Sequence, residues 1–146
     1  PMRGSFKRFD ADVRLDQKDP LKSRATLTVY IDAIDAGSDD ATVEVKRRTW
    51  FDAANHPKAE FVSTSVSALG NNQYRVAGKL TIKGRTRSVA APVSVKREKD
   101  AWRFEGSFIV RRLDFNIGEG AWADTDTVDD EVEVSFRLYV LVPKNK

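Results

Sequence analysis

Residues 74–93 read YRVAGKLTIKGRTRSVAAPV and hold two strand-like halves separated by a glycine turn. In residues 74–82, every second position is apolar, aromatic or glycine, which is the period that places alternate side chains on opposite faces of a strand. The Lys-Gly pair at 83–84 can reverse the chain, because glycine adopts the positive φ that a tight turn often needs. Alternation resumes at 89–95, so the stretch predicts a β-hairpin that needs further strands to form a sheet.

Strand patterns precede the hairpin in three places. The apolar series at 6–15 changes phase around residues 7–8, which predicts a bulge or bend between two short strand segments. Residues 24–33 alternate over a long run rich in β-branched side chains, and residues 61–69 form a third strand among serines and threonines. Gly-Asn-Asn at 70–72 then predicts a tight turn into the hairpin.

Further strand patterns follow the hairpin. A turn at 98–100 leads into residues 102–110, the most aromatic of the predicted strands, and a final strand spans 131–142. Between them, the irregular residues 111–126 carry several large apolar side chains, which predicts a loop packed against the domain over an opening. About seven strands at short spacing favour an antiparallel sandwich or barrel, and the interior of a closed barrel can hold one small ligand.

Residues 41–51 fit two different structures. The cluster Gly-Ser-Asp-Asp at 37–40 predicts a turn, and Ser38 or Asp39 within it could cap a following helix. The valines of this segment are two residues apart, as in a strand, whereas its valine, arginine and aromatic residues would share one side of a helix. The composition slightly favours a strand, which Asn-His-Pro at 55–57 would end.

The composition excludes several classes of protein. The 146-residue chain is 40% apolar and 32% charged, as expected for one globular domain, and no apolar run approaches the ~18 residues of a membrane-spanning helix. Its 25 basic and 22 acidic residues leave a net charge of +3, which is too small an excess to demand a nucleic-acid partner. The absence of cysteine excludes disulfides, thiolate metal sites and a cysteine nucleophile. The opening residues form no signal peptide and look like the middle of a longer chain.

The sequence also lacks a catalytic pattern. His56 is the only histidine, and its place beside a proline favours a surface or turn position over a catalyst or a metal ligand. The acidic residues between 124 and 131 lack the spacing of a calcium loop and favour a solvated loop. No Ser-His-Asp order, paired buried carboxylates or phosphate-binding glycine loop is present, so we predict a protein that is not an enzyme and holds no metal.

Two charged groups allow more than one interpretation. The arginines and aspartate of RRLD at 111–114 could lie near the head of a ligand or form a surface ion pair, and a structural role is favoured. Lys-Arg-Arg at 46–48, together with Arg85 and Arg87, could contact a phosphate on a lipid headgroup or a nucleic acid, or could be an ordinary basic surface.

The hairpin also carries the most specific motif of the chain. Residues 80–93, LTIKGRTRSVAAPV, closely resemble the LTIKGxTxxVxxPV signature of the YceI family of lipocalin-like, polyisoprenoid-binding proteins. Residues 4–10 resemble the family's GxFxxFDG segment, with Ala11 in place of the usual glycine. Residues 50–57 and 61–64 resemble its FFDxxxYP and FxST segments.

A last motif extends the resemblance to nearly the whole chain. RLDF at 112–115 fits the family's RxDFG element, with Asn116 replacing the glycine. The resemblance implies an eight-stranded antiparallel barrel in which residues 41–51 form a helix that caps one end, against the slight preference for a strand. It also implies that the strand that normally opens the family's barrel, before the GxF segment, is missing here.

The resemblance implies a function as well. A YceI-like barrel is expected to bind a long polyisoprenoid, such as an isoprenoid quinone or another prenyl lipid, and to carry or store it, typically in the bacterial periplasm, with no other cofactor. The expected partners are this hydrophobic lipid, a membrane or membrane redox protein contacted transiently, and a second copy in a homodimer, but not nucleic acid. The competing hypotheses are a stress-response or interaction module, and an accessory to a quinone-linked redox protein, with the barrel only a scaffold.

The alternating faces and the irregular loop supply the candidate ligand-binding residues. Those expected to line the interior are Leu27, Val29, Ile31, Phe61, Val76, Leu80, Phe104, Phe108, Val134 and Phe136. Those expected to close its mouth are Phe51, Phe115, Ile117 and Trp122. Each of them could instead fill one end of the barrel as ordinary core.

Overall fold

The computed structural model describes residues 4–16, 18–126 and 128–141. It consists of nine strands, one α-helix and several short 3-10 turns within those residues. The strands are β1 (Ser5–Phe6), β2 (Phe9–Arg14), β3 (Arg24–Tyr30), β4 (Ile34–Asp35), β5 (Lys58–Gly70), β6 (Gln73–Ile82), β7 (Arg85–Glu98), β8 (Ala101–Arg111) and β9 (Glu131–Leu141). The helix is α1 (Asp39–Val45), and the 3-10 turns are Pro20–Lys22, Ile31–Ala33, Arg112–Phe115 and Gly120–Ala123.

Seven of the strands form one antiparallel sheet in the order β2-β3-β5-β6-β7-β8-β9, and β1 pairs with β4 in a separate ribbon. The sheet curls into a half-barrel, which confirms the predicted barrel-like, mostly β fold. Its strand number agrees with the sequence pattern and is one fewer than the resemblance implies. In the described part of the chain no ladder joins the edge strands β2 and β9.

The central hairpin forms as predicted. Lys83 and Gly84 occupy the turn with φ of 52° and 74°, and Ile82 pairs with Arg85 on either side of it. Two positive φ values in a two-residue loop match the twist of the flanking strands. The bend in the first strand is also confirmed, because β1 ends at Phe6 and β2 begins at Phe9.

One predicted strand end differs from the structure, and another lies beyond the described residues. The strand expected over 24–33 ends at Tyr30, because Ile31–Ala33 turn into a 3-10 helix whose first residue donates its N–H to the Pro57 carbonyl at 2.9 Å. The final strand is described to Leu141, and Val142 lies outside the described residues.

The slight preference for a strand at 41–51 was wrong, and the helix implied by the resemblance is present in part as α1, which ends at Val45 before the turns at 46–51. Ser38 caps it by accepting a hydrogen bond from the Ala41 N–H at 3.1 Å. Asp39 and Asp40 in the first turn interact favourably with the positive end of the helix dipole. A seven-residue helix is too short to show a clear helical period in the sequence, and the alternation of Val43 and Val45 resembles a strand. The Ser38 cap is therefore the better sequence indicator of this helix.

The apolar side chains form two packed clusters at opposite ends of the same strands. The first, at the α1 end, contains Val45, Trp50, Val110, Phe115 and Ile117. The second contains Val66, Tyr74, Val93, Val95 and Phe104. Val13 and Leu15, in and after β2, pack against the second cluster, as do Leu138 and Val140 of β9. The two edges of the sheet therefore curl around one interior.

The ladder between β7 and β8 stops partway along both strands. It joins residues 93–98 of β7 to residues 101–106 of β8, and no described pair continues it. The Val95 N–H donates to Asn72 on the β6 side, so by alternation Pro92 faces β8. Because proline has no N–H, it cannot complete the next pair of the β7–β8 ladder. The sheet therefore splits beyond Pro92, and the 3-10 turn after β8 packs against both strands there.

Candidate functional site

The concave face of the sheet is the candidate site, and we call it the trough. Leu27 lies opposite Phe61, and Phe61 lies opposite Leu80, so their side chains share one face. The same register continues across β7 to β8 and β9. All predicted lining residues that belong to strands lie on this face: Leu27, Val29, Phe61, Val76, Leu80, Phe104, Phe108, Val134 and Phe136.

The two packed clusters occupy the ends of the trough and leave a strip between them. Leu27, Val29 and Phe61 are half-buried and belong to neither cluster. Phe9, which lies opposite Val29 on the edge strand, is 44% exposed. The apolar side chains here are thus partly exposed and belong to neither packed core cluster. Phe9 was not among the predicted lining residues, although it shares the phase of the alternating residues of β2.

Two glycines let aromatic rings lie flat on the floor of the trough. A Cβ on Gly106 would lie 2.7 Å from the ring of Phe136, and a Cβ on Gly78 would lie 2.6 Å from the ring of Phe61. Contacts this short do not occur, so each ring covers a position that only glycine can provide. The rings of Phe61 and Phe136 therefore lie close against the backbone of the neighbouring strands.

The residues predicted to close the mouth behave in two ways. Phe115 and Ile117 are 1% and 7% exposed and belong to the cluster at the α1 end. Ile31, which was predicted to line the interior, lies instead in a 3-10 turn and is 1% exposed. Phe51 is half-buried and contacts the ring of Phe6, whereas Trp122 is 36% exposed and lies 5.5 Å from Trp50 between ring centroids. The buried members fill one end of the trough, and the others lie at its margin.

Two open grooves with mixed polar and apolar linings lie outside the trough. The larger one, about 630 Å³, begins at the split between β7 and β8 and is lined by Gln73, Pro92, Ser94, Glu105, Gly106, Ser107, Ser135, Phe136 and Arg137. The smaller, about 440 Å³, is lined by Leu21, Ser23, Arg24, Ala25, Thr26, Val62, Ser63 and Thr64. Most of their strand side chains point away from the trough.

Two features are absent from residues 4–16, 18–126 and 128–141. No group of three or more histidine, aspartate or glutamate side chains there is arranged to hold a metal ion. No helix there is long and apolar enough to cross a membrane.

A profile of the YceI-like domain matches residues 1–140. The chain belongs to the YceI family. It is 30% identical over 120 residues to a UPF0312 protein of Photorhabdus laumondii, a match that covers 78% of this chain and 62% of that relative. It is 27% identical over 137 residues to the protein YceI of Salmonella arizonae, covering 90% of this chain and 69% of the relative. The chain thus spans only about two thirds of the length of these relatives.

Solved structures share the YceI fold. Burkholderia cenocepacia BcnA is 38% identical with a TM-score of 0.91, covering 94% of this chain and 86% of that one. A Campylobacter jejuni YceI protein is 16% identical with a TM-score of 0.87, covering 97% and 85%. A polyisoprenoid-binding domain from Saccharophagus degradans is 13% identical with a TM-score of 0.65, covering 92% and 93%. At these low identities the last two show only the fold.

The YceI-like hairpin turn fastens the loop that fills the α1 end of the trough. The ammonium of Lys83 donates to the Asn116 carbonyl at 2.7 Å and pairs with Glu119. The same ammonium, helped by Arg48 and Arg85, holds the pKa of Glu119 below its ordinary value. Residue spacing could not indicate this contact, because the partners lie 33 and 36 positions away from Lys83.

Arg112 of the YceI-like RxDF element has a structural role, as the sequence favoured, but as a buried group and not a surface ion pair. Its side chain is 2% exposed and donates to the carbonyls of Asp129 at 2.8 Å, Val128 at 2.7 Å and Ile117 at 3.0 Å. The surface ion pair belongs to its neighbour Arg111, which lies 3.7 Å from Asp130.

Proposed function

We propose that the trough binds the tail of a long-chain polyisoprenoid lipid, and that the protein carries or stores this lipid. The observation that carries the proposal is the strip of half-buried apolar residues on the concave face that neither packed cluster covers. Such a strip stabilises a bound ligand by dispersion and by removing apolar surface from water. It lacks polar groups that would fix the orientation of the ligand. It suits a repetitive hydrocarbon tail better than a compact polar ligand.

The energetics favour a tail of several isoprene units. Each buried methylene contributes roughly 0.8 kcal/mol, so one five-carbon unit contributes on the order of 3 kcal/mol before the cost of ordering is subtracted. A few units therefore suffice for tight binding. The Saccharophagus structure of the same fold, which is described as a polyisoprenoid-binding domain, supports this class of ligand.

The proposal includes a biological setting. The protein would act by binding and not by catalysis, in the bacterial periplasm, with an isoprenoid quinone as one form of the lipid. Loading and release would involve transient contact with a membrane or a membrane redox protein, and two copies would form a homodimer. Cell fractionation and light scattering of the full-length protein test the location and the dimer.

The direct test of binding is organic extraction of the purified protein followed by mass spectrometry, which should recover a prenyl lipid. A matched pair of variants then tests the site. Leu27→Gln places an amide in the trough, whereas Thr26→Gln makes the same change on the other face of the strand. We expect the first to weaken binding of farnesol roughly tenfold and the second to leave it unchanged. Absence of a prenyl lipid, or equal effects of both substitutions, would contradict the proposal.

A further inference from the structure

The α1 end of the trough carries four cations, and three of them, Arg48, Lys83 and Arg85, act on the carboxylate of Glu119. We call Arg48, Lys83, Arg85 and Arg87 the basic rim. Arg85 and Arg87 lie opposite Ile82 and Leu80 in the β6–β7 ladder, so these arginines continue the concave face and do not belong to the outer one. Charged side chains thus stand where the apolar floor of the trough ends.

Hydrogen bonds bring the rim together from three elements. The Gly118 and Glu119 N–H groups donate to the Thr49 carbonyl at 2.8 and 2.6 Å, which places Glu119 beside the residue that follows Arg48. Lys83 pairs with Glu119 from the hairpin turn. When the side-chain amide of Asn116 is oriented with its oxygen towards Arg85, that oxygen accepts two hydrogen bonds from the guanidinium, from Nε at 3.0 Å and from Nη2 at 2.7 Å. The low pKa of Glu119, to which Arg48 and Arg85 both contribute, is consistent with this convergence.

The rim holds more positive charge than its own surroundings neutralise. The Lys83 ammonium is almost buried and is engaged by Glu119, the one carboxylate among these contacts. Among the described residues, no carboxylate lies within 4 Å of the guanidinium of Arg48, Arg85 or Arg87, and all three arginines are exposed. Arg85 donates to the Asn116 amide and Arg87 Nη1 donates to the Thr86 carbonyl at 3.0 Å, but these neutral acceptors leave the charge of the guanidinium groups uncompensated at the edge of an apolar surface.

We propose that the basic rim binds a phosphate or pyrophosphate group, and that the ligand of the trough is a prenyl phosphate whose head lies at the rim. This inference rests on the proposed function, because it assigns the head of the lipid whose tail occupies the trough. The donor fork of arginine matches the oxygens of a phosphate, and such charge-assisted hydrogen bonds are stronger than neutral ones. A quinone offers neutral carbonyl acceptors, which do not require three cations.

The test compares ligands that share a tail and differ in the head. Binding of farnesyl phosphate, farnesol and a quinone with a three-isoprene tail is measured by calorimetry, and inorganic phosphate is titrated alone. We expect wild type to bind farnesyl phosphate at least roughly tenfold more tightly than farnesol or the quinone. The triple variant Arg48→Gln, Arg85→Gln, Arg87→Gln should remove this preference and leave farnesol affinity within about twofold.

A second triple variant controls for net charge. Arg14→Gln, Arg24→Gln and Arg75→Gln remove the same charge from exposed arginines that alternate with trough residues and so lie on the outer face. This variant should keep the preference for farnesyl phosphate. Equal effects of the two triple variants, or equal wild-type affinities for phosphate and alcohol, would overturn the prenyl phosphate assignment and leave prenyl binding intact.

The remaining outcomes distinguish a failure of prenyl binding from a failure of the headgroup assignment. If neither farnesol nor farnesyl phosphate binds, the proposed function fails and the inference fails with it. If inorganic phosphate alone binds wild type as tightly as farnesyl phosphate does, and loses affinity in the rim variant, the rim is a site for free phosphate and the lipid headgroup assignment is wrong.

Discussion

Arg112 brings a positive charge into the interior and is satisfied by backbone oxygens alone among the residues described. Its planar guanidinium reaches carbonyls on both sides of the loop at 117–129. The sequence indicated a structural role for this motif. It could not indicate burial, because the positions of the accepting carbonyls depend on how the loop returns to the end of β8.

Arg112→Lys should lower the free energy of unfolding by about 2–4 kcal/mol, because an ammonium cannot serve the separated carbonyls and leaves buried acceptors unpaired. Urea denaturation measures this. Arg111→Lys is the matched control, since its pair with Asp130 is exposed on the arginine side and the change should stay within about 0.5 kcal/mol. Similar losses of unfolding free energy in both variants would show that the buried guanidinium of Arg112 has no special role.

Glu119 should make stability depend on pH in the acid range. Because its pKa is lowered in the folded state by Lys83, the carboxylate stabilises the fold above the ordinary glutamate pKa of about 4.3. That contribution is lost as the pH falls through the lower folded-state pKa. Comparison of unfolding free energies of wild type and Glu119→Gln from pH 7 to pH 3 should show a wild-type advantage that disappears at the acid end. A constant difference across this range would contradict the assignment.

The split in the sheet should be visible in the hydrogen exchange of individual amides of β7. In β7, the Val89 and Ala91 N–H groups face β6, whereas those of Ser88 and Ala90 face β8, where the described residues provide no ladder partner. In hydrogen exchange followed by NMR, Ser88 and Ala90 should exchange at least about tenfold faster than their neighbours. Uniform protection along β7 would mean that the ladder continues past Pro92.

Strands were predictable because their period of two is a local property, and the register follows once the hairpin turn is known. The short helix α1 was harder, since its stability comes from the Ser38 cap and from the burial of Val45. The split was not predicted, although Pro92 is visible in the sequence. A proline interrupts a ladder only if its nitrogen faces a neighbouring strand at a position where an N–H would donate. Which neighbour each nitrogen faces is known only from the strand pairing in the structure.

At the scale of the whole molecule, the half-barrel has apolar side chains that pack into the core and others that stay partly exposed for a ligand. Both ends of the trough are packed, and the middle is not. The strand residues that the sequence placed on the concave face lie there, because alternation fixes the face of each residue, although Phe9 was missed and Ile31 lies outside the strand. The sequence could not divide them between core and open strip, since that division depends on how loops distant in sequence fill the α1 end.

The most direct test of a prenyl tail in the trough is photo-cross-linking with a diazirine-labelled farnesol, followed by mapping of the modified residues by mass spectrometry. We expect adducts on β2, β3 and β5 at Phe9, Leu27, Val29 and Phe61, and competition by unlabelled farnesol. Adducts confined to residues of the outer face, such as Thr26 and Val62, or labelling that farnesol does not compete, would contradict binding in the trough.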